Sequence, residues 1–132
     1  MHKRIVHGFK SACLLAVLGF SAALAHAGER PFSRAEFDRL NAQGLPTIVY
    51  FHATWCPTCK IQQPIVDRLS TSAALKDVTI LEADYDKEVA LKRELHITQQ
   101  STFVVFKHGH EVARSTGETT EQAIGATFAK AL

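Results

Sequence analysis

The sequence predicts an α/β domain: a mixed central sheet of about four strands with helices on both faces. Three observations lead there. Strand and helix patterns alternate along residues 33–132 in the order α-β-α-β-α-β-β-α, the alternation that builds crossover units on a sheet. The last two strands are joined by a hairpin signal at His108-Gly109-His110, which adds an antiparallel edge. The pattern starts only after an N-terminal stretch that reads as a leader rather than as part of the fold.

That leader accounts for the first 27 residues. Residues 1–10 carry Lys3, Arg4 and Lys10 and no acid, and residues 11–25 form an uncharged apolar run, the n-region and h-region of a secretion signal. The run is short against the roughly 20 apolar residues that cross a bilayer. Ala25-His26-Ala27 supplies the small residues a signal peptidase reads, so cleavage is expected after Ala27. Residues 28–132 then form one domain with no stable membrane insertion. Cys13 stands near the start of the apolar run, where a lipid-anchored cysteine would follow it, and leaves with the leader. The formal charge of +2, from 15 Lys+Arg and 13 Asp+Glu, becomes −1 once three basic residues are removed. No run of like charge survives, which argues against a nucleic-acid surface.

Each element has its own signal. Ser33-Arg34-Ala35-Glu36 fits a capping box, and Phe32, Phe37 and Leu40 put apolar groups along one side of a helix ending before Gly44. Residues 46–53 are β-branched and aromatic, with Pro46 at the entry, and their nearly continuous hydrophobicity predicts a central strand covered on both faces. Residues 57–70 read as a helix with Ile61, Ile65, Val66 and Leu69 at helical spacing and Pro64 predicting a kink. Residues 78–84 read as a second strand. A short charged helix is expected over 86–95, with Val89, Leu91 and Leu95 as its apolar side chains. Residues 102–107 and 111–114 read as the hairpin strands. Thr119 or Thr120 is placed to cap a closing helix carrying Ala123, Ile124 and Phe128.

The chemistry concentrates in Trp55-Cys56-Pro57-Thr58-Cys59-Lys60. Two cysteines separated by two residues cannot staple distant parts of a fold, so a reactive role explains them better than architecture. Cys56 falls where a strand ends and a helix begins. Its thiolate would face the orphan N–H groups at the positive end of the helix dipole, a setting that lowers a thiol pKa and makes Cys56 the nucleophile. Cys59, one turn later on the same side, would resolve a mixed disulfide formed on Cys56. With Cys56 as N-cap, Pro57 is N1, where a proline loses only an orphan donor. The N–H groups of Thr58 and Cys59, with the Thr58 hydroxyl, remain available to the thiolate. A couple more oxidising than one whose proline occupies N2 follows, between about −270 and about −120 mV. The same spacing also serves as half of a zinc site, but no second cysteine pair supplies the other half.

The segment TIVYFHATWCPTCKIQQP resembles the active-site strand, Trp-Cys-x-x-Cys-Lys motif and helix proline of thioredoxins. LEADYD is similar to that family's second core strand and STFVVFKHGHEV to its closing hairpin, so that the resemblance covers roughly residues 33–132. It implies a thioredoxin fold, without the full N-terminal strand of ordinary thioredoxin, and dithiol–disulfide exchange as the activity. Cys56 corresponds to the attacking cysteine, Cys59 to the resolving one and Trp55 to the aromatic flank.

Three departures stand out. The family's cis-proline before the third strand is here Ser101, and a cis bond before serine would cost about 3–4 kcal/mol, so a trans peptide and a reshaped groove are expected. Tyr50 occupies the place where thioredoxins often bury an Asp that exchanges protons with the resolving cysteine. Glu82, on the neighbouring strand, would substitute through water if it points beneath the site; a solvated strand-end Glu is the alternative. His52, four residues before Cys56, would stabilise the thiolate, shuttle a proton or add a metal ligand, or simply pack as a hydrogen-bonded imidazole. His108 and His110 read as solvated turn residues, and Lys60, Lys92 and Arg93 as solvated helix faces.

The expectation is thus an exported, periplasmic thiol:disulfide oxidoreductase, a reductase rather than an oxidant, since it lacks the large helical insertion of dedicated oxidants. Its site is Cys56 and Cys59, tuned by Trp55, Pro57, Thr58, Ser101, His52 and Glu82. The exchange needs no organic cofactor or metal. Partners would be protein disulfides or dithiols and a membrane-bound redox donor. The alternative is a metal or iron–sulfur protein built on the same cysteine pair, with Ser101 in place of the proline and His52 or a second subunit completing the shell.

Overall fold

The computed structural model describes residues 28–132, so the leader and Cys13 lie outside the described residues. Among the described residues eleven elements follow one another. They are β1 (Gly28–Pro31), α1 (Arg34–Ala42), β2 (Thr47–His52), α2 (Pro57–Ser70), a 3₁₀ turn (Ala73–Leu75), β3 (Thr79–Asp84), α3 (Val89–Glu94), β4 (Thr102–Lys107), β5 (His110–Thr116), α4 (Glu121–Phe128) and a closing 3₁₀ turn (Ala129–Ala131). The sheet has five strands in the order β1-β3-β2-β4-β5, one more than the sequence predicts. The extra strand is β1, parallel to β3 with Gly28 opposite Thr79. Its four residues, GERP, carry no alternating apolar pattern. Backbone pairing and the Arg30–Glu36 ion pair at 2.5 Å hold it instead.

Parallel β2–β3 and antiparallel β2–β4 pairing make β2 the centre of the sheet. Its alternation sends Ile48 and Tyr50 to one face and Val49 and Phe51 to the other, and all four are fully buried. The first pair packs with Ile80, Phe103 and Val105 beneath Ile65 and Val66 of α2 and Ile124 and Phe128 of α4. The second packs with Leu81, Val104 and Phe106 beneath Phe37 and Leu40 of α1 and Leu91 of α3. Burial of each such side chain stabilises by roughly 1.5–3 kcal/mol, and two filled faces explain why β2 reads as a continuous apolar run.

Several local expectations shift. Ser33 is the N-cap of α1 but its side chain makes no cap bond, and the Glu36 carboxylate that would complete a capping box is engaged by Arg30 and Arg39. Helix α3 begins at Val89 rather than at 86, since the Asp84 carboxylate accepts the N–H groups of Asp86 and Lys87 and closes a turn there; Val89 itself is exposed. Strand β5 runs from His110 to Thr116, longer than 111–114, and as an edge strand it is mostly exposed, so hydrophobic alternation could not reveal it. The hairpin turn is His108-Gly109, with φ of +53° and +76°, the pair of left-handed residues that a type I′ turn demands. A Cβ on Gly109 would also stand 3.0 Å from the Asn41 carbonyl oxygen. Thr120, not Thr119, caps α4 by accepting from the Ala123 N–H. Within α2, Ile61 is 52% exposed while Gln62 is fully buried; the buried stripe passes through 59, 62, 65 and 66. Among the described residues no helix is long and apolar enough to cross a membrane.

Candidate active site

The chain leaves β2 at His52, turns through Ala53-Thr54-Trp55, and enters α2 with Cys56 as its N-cap and Pro57 at the first helical position. This is the arrangement expected from the motif. The Cys56 N–H donates to the Ala53 carbonyl at 3.1 Å, which sets the turn. Its sulfur accepts from the Cys59 N–H at 3.1 Å, taking the part that Ser or Asp oxygens play at ordinary helix caps. Of the two N–H donors anticipated, that of Cys59 makes the contact, and Thr58 is half-buried beside it. Pro57 is exposed.

Both cysteines are free thiols and both are buried. Burial pushes the Cys56 thiol up, but hydrogen bonds from the Cys59 thiol, the Ser101 hydroxyl, the Cys59 N–H and the Gln100 side chain outweigh it, and the net shift is downward. Cys59 moves the other way: burial raises it first, and its hydrogen bond and charge coupling to Cys56 add to that. One thiol is thus poised to ionise while its neighbour keeps its proton.

Ser101 lies next to this pair, with Oγ 3.6 Å from Cys56 Sγ. The peptide bonds of the described residues are all trans, as expected for serine here, and Ser101 adopts φ +57°, a left-handed conformation uncommon for anything but glycine. Sequence reasoning missed Gln62 and Gln100. Gln62 Nε2 donates to the carbonyls of Ser101 at 3.3 Å and Glu118 at 2.8 Å. The signal available was a polar residue on the apolar stripe of α2, where burial of glutamine is rare without partners.

Tyr50 is fully buried under α2 and donates to the Cys59 carbonyl oxygen at 3.3 Å. Burial, then the nearby Cys59 charge, raise its phenol far above the ordinary range, so it serves as a donor and not as a proton acceptor. Its ring stacks on Phe103, with centroids 4.6 Å apart. His52 is engaged elsewhere. Its ring meets Tyr50 edge-on, and Nδ1 stands 3.7 Å from the Glu82 carboxylate. Glu82 lies opposite Tyr50 in the β2–β3 register, on the face beneath α2, and is half-buried. Among the described residues no group of three or more His, Cys, Asp or Glu side chains is placed to hold a metal, so His52 does not join the thiols as a third ligand. His108 and His110 are exposed at the hairpin. Trp55 is 54% exposed and its indole N–H donates to Asp86 at 2.7 Å. Lys60 and Arg93 are exposed, and Lys92 lies over the Tyr85 ring at 3.9 Å.

The thioredoxin family model matches residues 30–130. The chain is similar to thioredoxin-1 of Saccharomyces cerevisiae, 36% identical over 95 residues that make up 70% of this chain and 90% of that protein. Over 79 residues it is 32% identical to the thioredoxin of Mycobacterium tuberculosis, spanning 60% of this chain and 67% of that one. Among solved structures, Trxlp from Edwardsiella tarda superposes with a TM-score of 0.72 at 34% identity, covering 74% of this chain and 95% of that chain. Mitochondrial thioredoxin 3 of Saccharomyces cerevisiae superposes with a TM-score of 0.64 at 28% identity, covering 76% and 91%.

Proposed function

The chain belongs to the thioredoxin family and is a protein dithiol–disulfide oxidoreductase, and on that premise we propose that it works as an exported, periplasmic reductase of protein disulfides through Cys56 and Cys59. The observation that carries the proposal is the opposed setting of the two thiols: Cys56 Sγ sits at the N-cap of α2 and accepts the Cys59 N–H at 3.1 Å, which favours its thiolate, while Cys59 is buried behind it, which favours its thiol.

In the forward direction the Cys56 thiolate attacks one sulfur of a substrate disulfide. A Cys56–substrate disulfide forms, and the other substrate sulfur leaves as a thiolate that takes a proton. Cys59 then loses its proton and attacks Cys56 Sγ, releasing the second substrate thiol and leaving a Cys56–Cys59 disulfide. Two electrons have passed to the substrate. Restoring the Cys56–Cys59 dithiol takes two further electrons from a dithiol donor that is itself oxidised to a disulfide, which in an exported protein is a membrane-bound redox partner. The exchange is carried by sulfur alone, with no organic cofactor or metal. Exposed Trp55 beside the thiols, and Ser101 facing Cys56, border the place where a substrate disulfide must approach.

The leader supports export. The reductase direction is supported by the direct passage from α2 to β3 through one 3₁₀ turn, without the helical insertion of dedicated oxidants. Cys59→Ser, which keeps the attacking thiol and removes its release step, tests the reading when expressed from the full chain in a periplasm. Recovery of disulfide-linked clients on a protein beginning at Gly28 is expected. Retention of the full-length chain inside the cytoplasm, or capture of the same partners by Cys56→Ser, would refute it.

A further inference from the structure

Ser101 is held in its unusual conformation from several sides. Its N–H donates to the Phe51 carbonyl at 2.8 Å, and its own carbonyl accepts the Gly117 N–H at 2.9 Å. Both are backbone contacts that continue the sheet. The side-chain contact comes from Gln62, whose Nε2 reaches the same carbonyl and that of Glu118 beyond β5. One buried amide therefore ties the active-site helix to the segments entering β4 and leaving β5. Gln62 Oε1 has no protein partner. The orientation of the amide is fixed all the same, because turning it over would set its oxygen against two carbonyl oxygens.

We propose that Gln62 is a positioning residue for Cys56: by holding the Ser101 carbonyl it keeps Ser101 left-handed and its hydroxyl within reach of Cys56 Sγ. An apolar side chain at 62 would fit the stripe of α2 as well, but would leave the half-buried Glu118 carbonyl without this donor and the buried Ser101 carbonyl with only Gly117. Ser101 would then relax toward an ordinary backbone conformation, and its hydroxyl would turn from the sulfur. Gln62 and Ser101 thus form a unit in this chain, the amide compensating for the absence of a rigid proline ring at 101.

This inference deepens the function proposed above and rests on it only for its meaning in catalysis. It is tested by the pH dependence of iodoacetamide alkylation at Cys56, located by mass spectrometry, in the full folded protein. Gln62→Leu should raise the midpoint by about half to one pH unit, a threefold to tenfold loss of thiolate near neutrality. In a Ser101→Ala background the same substitution should move it by less than about a quarter of that amount, because the hydroxyl it acts through is gone. Gln62→Met, of similar length and also without a donor, should behave as Gln62→Leu, and serves if the leucine variant fails to fold. A midpoint unchanged in both variants, or a shift equally large without the Ser101 hydroxyl, would overturn the proposal. Alkylation needs no disulfide substrate, so that result leaves the reductase function standing. Failure of the wild type to reduce any disulfide would instead strike the function alone.

Discussion

The Tyr50 hydroxyl donates a 3.3 Å hydrogen bond to the Cys59 carbonyl oxygen from the strand beneath α2. It links the floor of the site to the resolving cysteine through the backbone and not through the thiol. Tyr50→Phe should therefore lower stability by about 0.5–1.5 kcal/mol in denaturant unfolding. It should leave the pH–rate profile of the Cys59 attack unmoved, because a phenol whose pKa is raised so far does not exchange protons near neutrality. A displaced profile in single-turnover release of a mixed disulfide would contradict this.

The lowered Cys56 pKa has a thermodynamic counterpart. The folded, reduced protein ionises Cys56 before the unfolded chain does, so it gains stability as pH rises through the lowered value toward the ordinary thiol value of about 8.5, and loses it again as pH falls. Cys59→Ser keeps a hydroxyl donor beside Cys56 and isolates the effect. Its thermal midpoint should climb through that window relative to the Cys56→Ser, Cys59→Ser double variant, and parallel curves would refute the assignment.

A stabilised thiolate also favours the dithiol form. The Cys56–Cys59 couple should equilibrate with glutathione at a potential above about −270 mV and below about −120 mV. A value at or under the lower figure would mean that the Cys59 N–H and Ser101 contacts do not stabilise the thiolate appreciably.

Glu29 on β1 is pushed up to about 7, chiefly by burial; the Gln63 amide lowers it, and the charges of Glu82 and Asp67 raise it. Its carboxyl must ionise in the folded state at a higher pH than in the unfolded chain, where the ordinary value is 4.5. Stability is consequently lost as pH rises from about 4.5 to about 7. Glu29→Gln should flatten that decline, and should unfold at a higher temperature than the wild type at pH 8. Equal slopes in the two proteins would remove Glu29 as the cause.

Ser101→Pro puts the family residue back into a backbone that no longer suits it. Proline fixes φ near −65°, whereas Ser101 sits at +57° and donates its N–H to Phe51. The substitution should destabilise by at least about 1 kcal/mol and raise the Cys56 alkylation midpoint by removing the hydroxyl. An unchanged melting temperature would show that the segment rearranges freely.

Which parts of this protein were legible in its sequence follows from how local each feature is. The strand 46–53, the helix from Pro57 and the capping of that helix by Cys56 depend on neighbours within a few residues, and the structure has them as expected. The strand Gly28–Pro31 was not legible as such, because its pairing with Thr79–Glu82 is made by backbone groups that every residue owns. Ile61 and Gln62 show the same limit on a helix. Hydrophobicity favours Ile61 as the buried residue, yet the rotation of α2 set by Cys59, Ile65 and Val66 puts Gln62 inside and Ile61 in solvent.

By itself, then, the sequence determined a reactive cysteine pair at a helix start on an alternating α/β frame. Those properties follow from spacing, helix geometry and hydrophobic pattern. Only the tertiary structure decided which groups meet the sulfurs. Ser101 is 45 residues from Cys56 along the chain, and Gln62 and Ser101 are 39 apart. Contacts at such separations are set by how β2, β4 and α2 pack, and no local pattern of residues encodes them.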